Sequence, residues 1–332
     1  MQDDRRYRVL FMGSPEFAVP LFEAMVRTEN VVAAVTQPDR PAGRGRQVRP
    51  PAVKVRALEL GIPVLQPARV RTPAFRDELA CLCADLFVVA AYGRILTRDV
   101  LAVPPLGCWN LHASLLPTWR GAAPIQWSLI AGDAETGVTV MRMDEGMDTG
   151  DIALQRRTAI AESDTASTLS ARLARIGADA MMEALSLMRE GLLVTRPQDE
   201  RLATHAPPLR KEDGLIDFRE PAQRVVCRAR GVDPWPGAHA LLHDERVPSG
   251  AEGAQVVVRL FGPRADSSIS GSPGVVLDVC EDGLVVGCGQ GAVVFAEVQL
   301  PGKKRLPAKA VLAGRGIKLG DHLGTNPRDA PR

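Results

Sequence analysis

Residues Leu86-Phe87-Val88-Val89-Ala90-Ala91 form an apolar run with no polar interruption. A strand with one wet face alternates apolar and polar side chains. An unbroken apolar strand belongs inside a parallel sheet covered on both faces. Its neighbours along the chain agree. Arg8-Val9-Leu10-Phe11-Met12 is another short apolar run, ending at Gly13. Pro15 then opens a helix with Phe17, Leu21 and Met25 on one face. Segments 31–35, 63–65, 109–112 and 138–143 read as further strands, and 165–190 as a long amphipathic helix with Asp164 as its candidate cap. This alternation predicts a doubly wound, Rossmann-like α/β domain.

The style changes after Gly191. Residues 191–208 are polar and Pro-punctuated and read as a linker. Beyond Leu209 one helical stretch, 221–230, precedes short Val-rich segments at 256–258, 274–277, 284–286 and 292–295, separated by Gly, Pro, Ser and Asp turns. That pattern predicts a small β-barrel. The Ser/Gly-rich segment 265–272 reads as a mobile loop, and 326–332, with no large apolar side chain, as a disordered tail. The expected division is therefore 1–190, a linker at 191–208, 209–325 and the tail. A length of 332 residues fits two domains.

No apolar run reaches the roughly 18 residues a membrane helix needs. The start, Met1-Gln2-Asp3-Asp4-Arg5-Arg6, leads into a strand and not into a signal-peptide core, so a cytoplasmic location is expected. The six cysteines form no CxxC pair, and no His stands at zinc-finger spacing from them; they read as reduced structural thiols, with no metal site. The net charge of +2 excludes a generically basic nucleic-acid coat, but it hides a distribution. Residues 40–56 hold six bases and no acid; residues 301–332 hold eight bases against Asp321 and Asp329. Two such stretches on a neutral chain suggest polyanion contacts at chosen places, although each alone is also an ordinary solvated surface.

The chemistry-bearing segment is Asn110-Leu111-His112-Ala113-Ser114-Leu115-Leu116-Pro117. Asn110 and His112, two apart on a strand, face the same way at the carboxyl edge of the sheet, where ligands bind in this architecture. Asp144-Glu145-Gly146-Met147-Asp148-Thr149-Gly150-Asp151 follows another strand and is expected at the same edge. An amide, an imidazole and a carboxylate that converge suit acyl transfer to an amine: two groups stabilise an oxyanion and the third takes a proton. The same residues also admit a plainer reading, a hydrogen-bonded strand-end His and a simple turn. Gly13-Ser14-Pro15-Glu16 lacks the GxGxxG pattern, which argues against a dinucleotide-dependent dehydrogenase.

The strings FMGSPEFA (11–18), TQPDRPAGRGR (36–46), FVVAAYGRIL (87–96), NLHASLLPTWRGAAPIQ (110–126) and MDEGMDTGD (143–151) resemble the methionyl-tRNA formyltransferase family, as does their order. LRKEDGLIDF (209–218) and DPWPGA (233–238) resemble that family's carboxyl-terminal domain, which has an OB-fold-like barrel. The resemblance implies formyl transfer from 10-formyltetrahydrofolate, as co-substrate, to the α-amine of initiator methionyl-tRNA. It implies catalytic roles for Asn110, His112 and Asp148. It implies folate contacts from Ser114, Leu115, Leu116 and Pro117, from the backbone near Val89, Tyr92 and Gly93, and from Asp144. It implies a monomer that needs neither metal nor membrane. Trp109 departs from the aliphatic residue usual at its position. A formyltransferase acting on glycinamide ribonucleotide or a sugar nucleotide shares the Asn/His/Asp chemistry and is the alternative; the basic loop and the second domain favour tRNA.

The basic loop resembles the family's insertion that reaches the tRNA acceptor stem, with Arg40, Arg44 and Arg46 as its cations; Lys303 and Lys304 are further candidates for backbone contact. Phosphate contacts of this kind weaken as salt rises. Arg44→Ala is therefore expected to lose tRNA-dependent rate while still binding folate, which steady-state kinetics with a parallel folate titration will resolve.

Overall fold

The computed structural model describes residues 6–42, 47–243, 255–313 and 316–325. Two compact units emerge. The first draws on Met1–Pro124, Glu135–Ala159 and Thr168–Pro207; the second on Ile125–Ala134, Ile160–Ser167 and Pro208–Arg332.

The strands of the first unit are β1 (Arg8–Gly13), β2 (Asn30–Val35), β3 (Arg40–Ala42), β4 (Gln47–Arg49), β5 (Val64–Leu65), β6 (Leu86–Ala90), β7 (Cys108–His112), β8 (Arg120–Gly121), β9 (Glu135–Arg142), β10 (Ile152–Ala159) and β11 (His205–Ala206). Helices α1 (Val19–Thr28), α2 (Ala52–Glu59), α3 (Pro73–Cys81), α4 (Arg98–Leu101), α5 (Pro124–Ala131) and α6 (Ala166–Arg189) lie between them in the chain. The main sheet has the order β10-β9-β7-β6-β1-β2-β5. Its core, β7-β6-β1-β2-β5, is parallel, as the apolar run at β6 requires: every residue of β6 and β7 is buried. Strand β9 runs antiparallel to β7, and β10 antiparallel to β9. Strand β10 carries no apolar run because it is the sheet's edge and most of its side chains are part exposed, which hid it from the sequence pattern.

Alternation along β7 decides which face holds what. Leu111, 2% exposed, points opposite to Asn110 and His112. A Cβ on Gly177 of α6 would sit 2.5 Å from Leu111 Cδ2, so a glycine there lets the helix press onto the sheet. Glu29, 3% exposed, ties the same helix to β1: it accepts from Tyr7 N–H (2.8 Å) and from Arg189 Nη2 (2.6 Å). The Asp164 carboxylate accepts from Ala161 N–H at 2.7 Å, ahead of the helix start.

The second unit includes α5, α7 (Ala222–Gly231) and α8 (Ala308–Ala313) with strands β12 (His239–His243), β13 (Gln255–Asp266), β14 (Val276–Cys280), β15 (Gly283–Gly287), β16 (Ala292–Gln299), β17 (Leu306–Pro307) and β18 (Leu323–Gly324). The antiparallel order is β14-β15-β16-β13-β12-β18. Its two ends meet, since Val275 bridges His322 and Leu323 N–H donates to Gly274 C=O at 2.8 Å. The barrel expected from the Val-rich segments is therefore closed. Strand β13 continues to Asp266, so the loop read at 265–272 begins two residues later than expected.

Of residues 191–208, read as a linker, those to Pro207 fold with the first unit: Arg196 pairs with Ile152, and β11 with β8. Among the described residues no helix is long and apolar enough to cross a membrane, and no cluster of His, Cys, Asp and Glu is placed to hold a metal. Cys81 and Cys83 are exposed, whereas Cys108, Cys227 and Cys288 are buried. Burial pushes the Cys108 and Cys288 thiols up to about 12, so both stay protonated and unreactive at pH 8. A disulfide reagent at pH 8 is expected to label Cys81 and Cys83 in the folded protein. Cys108, Cys227 and Cys288 should label only after denaturation, as mass spectrometry of the adducts will show.

Candidate active site

Strand β7 delivers two buried polar side chains, Asn110 (8% exposed) and His112 (6% exposed), from the middle and the end of one strand. The chain that follows is pinned to β9. Thr139, paired with His112 across the sheet, donates its hydroxyl to Ser114 C=O at 2.7 Å and accepts from Leu116 N–H at 3.1 Å. Gln155 of β10 adds a bond to Leu116 C=O at 2.9 Å, and the Ser114 hydroxyl closes the loop onto Thr118 C=O at 2.5 Å. Trp119 then takes a left-handed φ of 62° and turns its carbonyl to His112 Nε2, 2.9 Å away.

That contact assigns the ring. A carbonyl oxygen only accepts, so Nε2 carries a proton, and Nδ1 is the nitrogen that gains or loses one. Nδ1 faces Asp148 Oδ2 at 3.6 Å. The gap is longer than a hydrogen bond, so the carboxylate lies beside the ring without being bonded to it. The same Oδ2 accepts from Gly121 N–H at 2.8 Å. Gly121 has φ 123°, and a Cβ there would meet Ala206 C=O at 2.7 Å, so the approach of β8 to β11 depends on glycine.

The route to Asp148 differs from the expected one. Because β9 is antiparallel to β7, with Arg142 opposite Trp109, residues 143–151 leave from the amino end of β7 and not from its carboxyl edge. The loop turns back on itself to bring Asp148 to His112. Asp148 sits at φ 56°, a left-handed conformation that Asp tolerates better than most residues. Asp144 is exposed, and its Oδ1 accepts from Gly146 N–H (3.0 Å) and the Thr149 hydroxyl (2.7 Å), bonds that fold the loop. Glu145 faces Arg98 at 3.5 Å. Of these three carboxylates, Asp148 is the one at the imidazole.

Three residues outside the expected set complete the surroundings. Gln198 donates from Nε2 to Asp148 C=O (2.8 Å) and Gly150 C=O (2.7 Å). Its Oε1 accepts from Arg120 Nε (3.1 Å) and Nη2 (2.8 Å). Arg120, 4% exposed, also forks onto both carboxylate oxygens of Glu200 at 2.8 and 2.7 Å. The Glu200 bond holds the Arg120 guanidinium above its ordinary value and the Glu200 carboxyl below its own. Nothing in a polar, Pro-flanked stretch marks Gln198 as a partner of a residue fifty positions earlier. Arg120 offered a faint signal, a lone base amid apolar residues.

The proposed folate residues fall in two groups. Ser114, Leu116, Val89 and Tyr92 are all at most 5% exposed, so their side chains belong to the interior and their backbone is what a ligand could meet. Burial pushes the Tyr92 hydroxyl up to about 12. Leu115 and Pro117 are part buried, and Gly93 is exposed with φ 72°. Gln37 holds this turn from behind: its Nε2 donates to Tyr92 C=O at 2.7 Å, its N–H to the Ser14 hydroxyl at 3.0 Å.

Of the basic candidates, Arg40 is exposed on β3 opposite Arg49 of β4, while Arg44 and Arg46 lie outside the described residues. The run 40–56 is less positive than its composition. Lys54 pairs with Asp39 (2.7 Å), and Arg56 with Glu23 (2.6 Å) and Glu59 (2.8 Å). Lys303 and Lys304 are exposed in the turn between β16 and β17 of the second unit.

Residues 5–185 match the family described as Formyl transferase, and 208–316 the Formyl transferase, C-terminal domain. Among curated relatives, the methionyl-tRNA formyltransferase of Citrifermentans bemidjiense is 47% identical over 318 residues, covering 96% of each chain. That of Geotalea daltonii is 46% identical, covering 96% of this chain and 98% of its own. In fold, the chain resembles the sugar 3N-formyl transferase WlaRD (TM-score 0.64, 15% identity, 90% of this chain, 100% of that one). It also resembles HypX from Aquifex aeolicus, crystallised with tetrahydrofolic acid (TM-score 0.61, 18% identity, 97% and 51%).

The Thr139 anchor is testable without any activity assay. Thr139→Val keeps the shape but orphans the buried Leu116 N–H, and is expected to cost about 1–3 kcal/mol in urea unfolding.

Proposed function

The chain belongs to the formyl transferase family, and from that premise we propose that Asn110, His112 and Asp148 carry the transfer of a formyl group from 10-formyltetrahydrofolate to the α-amino group of initiator methionyl-tRNA. The observation that carries this reading is the His112–Asp148 pair, side by side on the face of β7 that Asn110 shares. Relatives near half identical along nearly the whole chain, named for this reaction, support the substrates.

The donor, when bound, supplies a formyl group that is already activated, so the protein needs no Ser or Cys nucleophile. What it must do is manage one charge and one proton. As the amine attacks, negative charge develops on the formyl oxygen. The Asn110 carboxamide and the Nδ1 proton of His112 are the donors available to hold it. Because Nε2 is fixed on the Trp119 carbonyl, the ring cannot swing, and because Asp148 stands beyond hydrogen-bond length, an Nδ1 proton is not spent on that carboxylate and is available to a substrate oxygen that enters the ring plane. Asp148 accepts, directly or through water, the proton the amine must lose; collapse of the oxyanion then breaks the bond between the formyl carbon and N10 of the folate, and that nitrogen departs with a proton as tetrahydrofolate.

Folate binding is proposed for the segment Ser114–Pro117, the turn at Val89, Tyr92 and Gly93, and Asp144. A pterin edge offers both donors and acceptors and suits backbone amides. The buried side chains and the exposed Gly93 backbone in this region fit that mode. The tRNA is proposed to meet Arg40, Arg44 and Arg46 from the first unit and Lys303 and Lys304 from the second. Residues 1–190 would then perform transfer while 209–325 hold the tRNA. The resemblance to the family supports work as a monomer, in the cytoplasm.

Asn110→Ala, His112→Ala and Asp148→Asn are each expected to slow single-turnover formylation about 100- to 1000-fold, with charged tRNA still bound. Full rate in either of the first two variants would overturn the oxyanion assignment. A competition among charged initiator tRNA, free methionine and glycinamide ribonucleotide should yield product on the tRNA alone; formylation of another acceptor instead would overturn the substrate.

A further inference from the structure

We infer that Gln198 is a positioning residue for the reaction, holding Asp148 in the conformation in which its carboxylate faces His112. The inference rests on the reading of Asp148 given above and adds a residue from the stretch that the sequence presents as a linker.

Three observations carry it. First, the Gln198 amide is saturated. Both Nε2 protons go to carbonyls, of Asp148 and Gly150, and Oε1 takes two N–H bonds from Arg120. The orientation is fixed by chemistry, because a flipped amide would set its oxygen against two carbonyls and its NH2 against a guanidinium. Second, the bonds land on either side of the segment that needs holding. Asp148 has a left-handed φ of 56°, which costs free energy and persists where neighbours enforce it. Its carbonyl and that of Gly150 are the two groups gripped. Third, the grip has a rigid root. Arg120 is buried, forks onto Glu200 and adjoins Gly121, whose N–H meets the Asp148 carboxylate at 2.8 Å. The guanidinium thus fixes Gln198 through its side chain while the same strand, β8, fixes Asp148 through its backbone.

His112 is held from the same stretch. The carbonyl on Nε2 belongs to Trp119, whose N–H donates to the Thr204 hydroxyl at 2.8 Å, and Arg120 N–H donates to Thr204 C=O at 2.8 Å. Residues 198–206 therefore fasten both members of the pair, the carboxylate through Gln198 and the imidazole through Thr204.

The test uses Gln198→Glu, which keeps length and the bonds to Arg120 but cannot donate to the two carbonyls. Placement errors of about 1 Å cost up to about 100-fold in rate. The full-length variant is expected to lose about 10- to 100-fold in kcat, with KM for charged tRNA and for the formyl donor changed less than about threefold. In single turnovers the loss should vanish in the Asp148→Asn background, because a positioning residue has nothing left to position. Unchanged kcat beside a slow Asp148→Asn overturns the inference alone. A loss that persists undiminished in the Asp148→Asn background assigns Gln198 a general structural role and overturns it too. Wild-type rate in Asp148→Asn itself overturns the underlying reading of Asp148 and this inference with it. Should Gln198→Glu fail to fold, Gln198→Met, of equal length and uncharged, carries the same comparison.

Discussion

A carboxylate and an imidazole held 3.6 Å apart, at 17% and 6% side-chain exposure, are the constraint to which the rest of the first unit answers. Buried charge is costly unless hydrogen bonds replace the lost water. Each member of this pair therefore has a backbone hydrogen bond of its own. His112 has Trp119 C=O behind it, and Asp148 has Gly121 N–H. Both supports come from residues two apart in one short strand region, which needs the β8–β11 pairing to stay in place. Remove that pairing and neither polar group keeps its partner.

The sheet provides the geometry. Parallel strands β6 and β7 are apolar enough to be buried on both faces, so β7 can carry Asn110 and His112 on one face only because Leu111 and Gly177 close the other. The antiparallel partner β9 is what allows a carboxylate to arrive from the far end. A parallel β9 would have sent the loop 143–151 away from the amino end of β7, and the observed loop, turned back through a left-handed Asp148, would have no reason to exist.

How much of this the sequence discloses depends on whether the signal is local. The unbroken apolar run at β6, the two-residue spacing of Asn110 and His112, and the Val-rich segments of the barrel are local patterns, and each stands in the fold where its pattern points. Strand direction is not local. Nothing within residues 138–143 says that they pair backwards on β7, so the edge from which Asp148 approaches was misread. Edge strand β10 was silent for a related reason: a half-exposed strand has no need of apolar residues. Gln198 was invisible because an amide that grips carbonyls fifty residues away has the same composition as a solvated linker.

Charge shows the same separation between composition and placement. Of the six bases in 40–56, Lys54 and Arg56 are neutralised by carboxylates from elsewhere in the chain. Asp39 is held below the usual carboxylate range by Gln66 and Lys54, and Gln66 also donates to Gln37 C=O at 2.8 Å. Gln37 in turn carries the Tyr92 and Gly93 carbonyls. The residue before the basic hairpin is thus joined, through three side chains, to the turn after β6. A basic segment of the kind proposed to meet a polyanion would gain from a neutral, hydrogen-bonded root. Pairing Lys54 and Arg56 inward achieves that, because the charge carried by α2, just after the hairpin, is balanced by Asp39, Glu23 and Glu59.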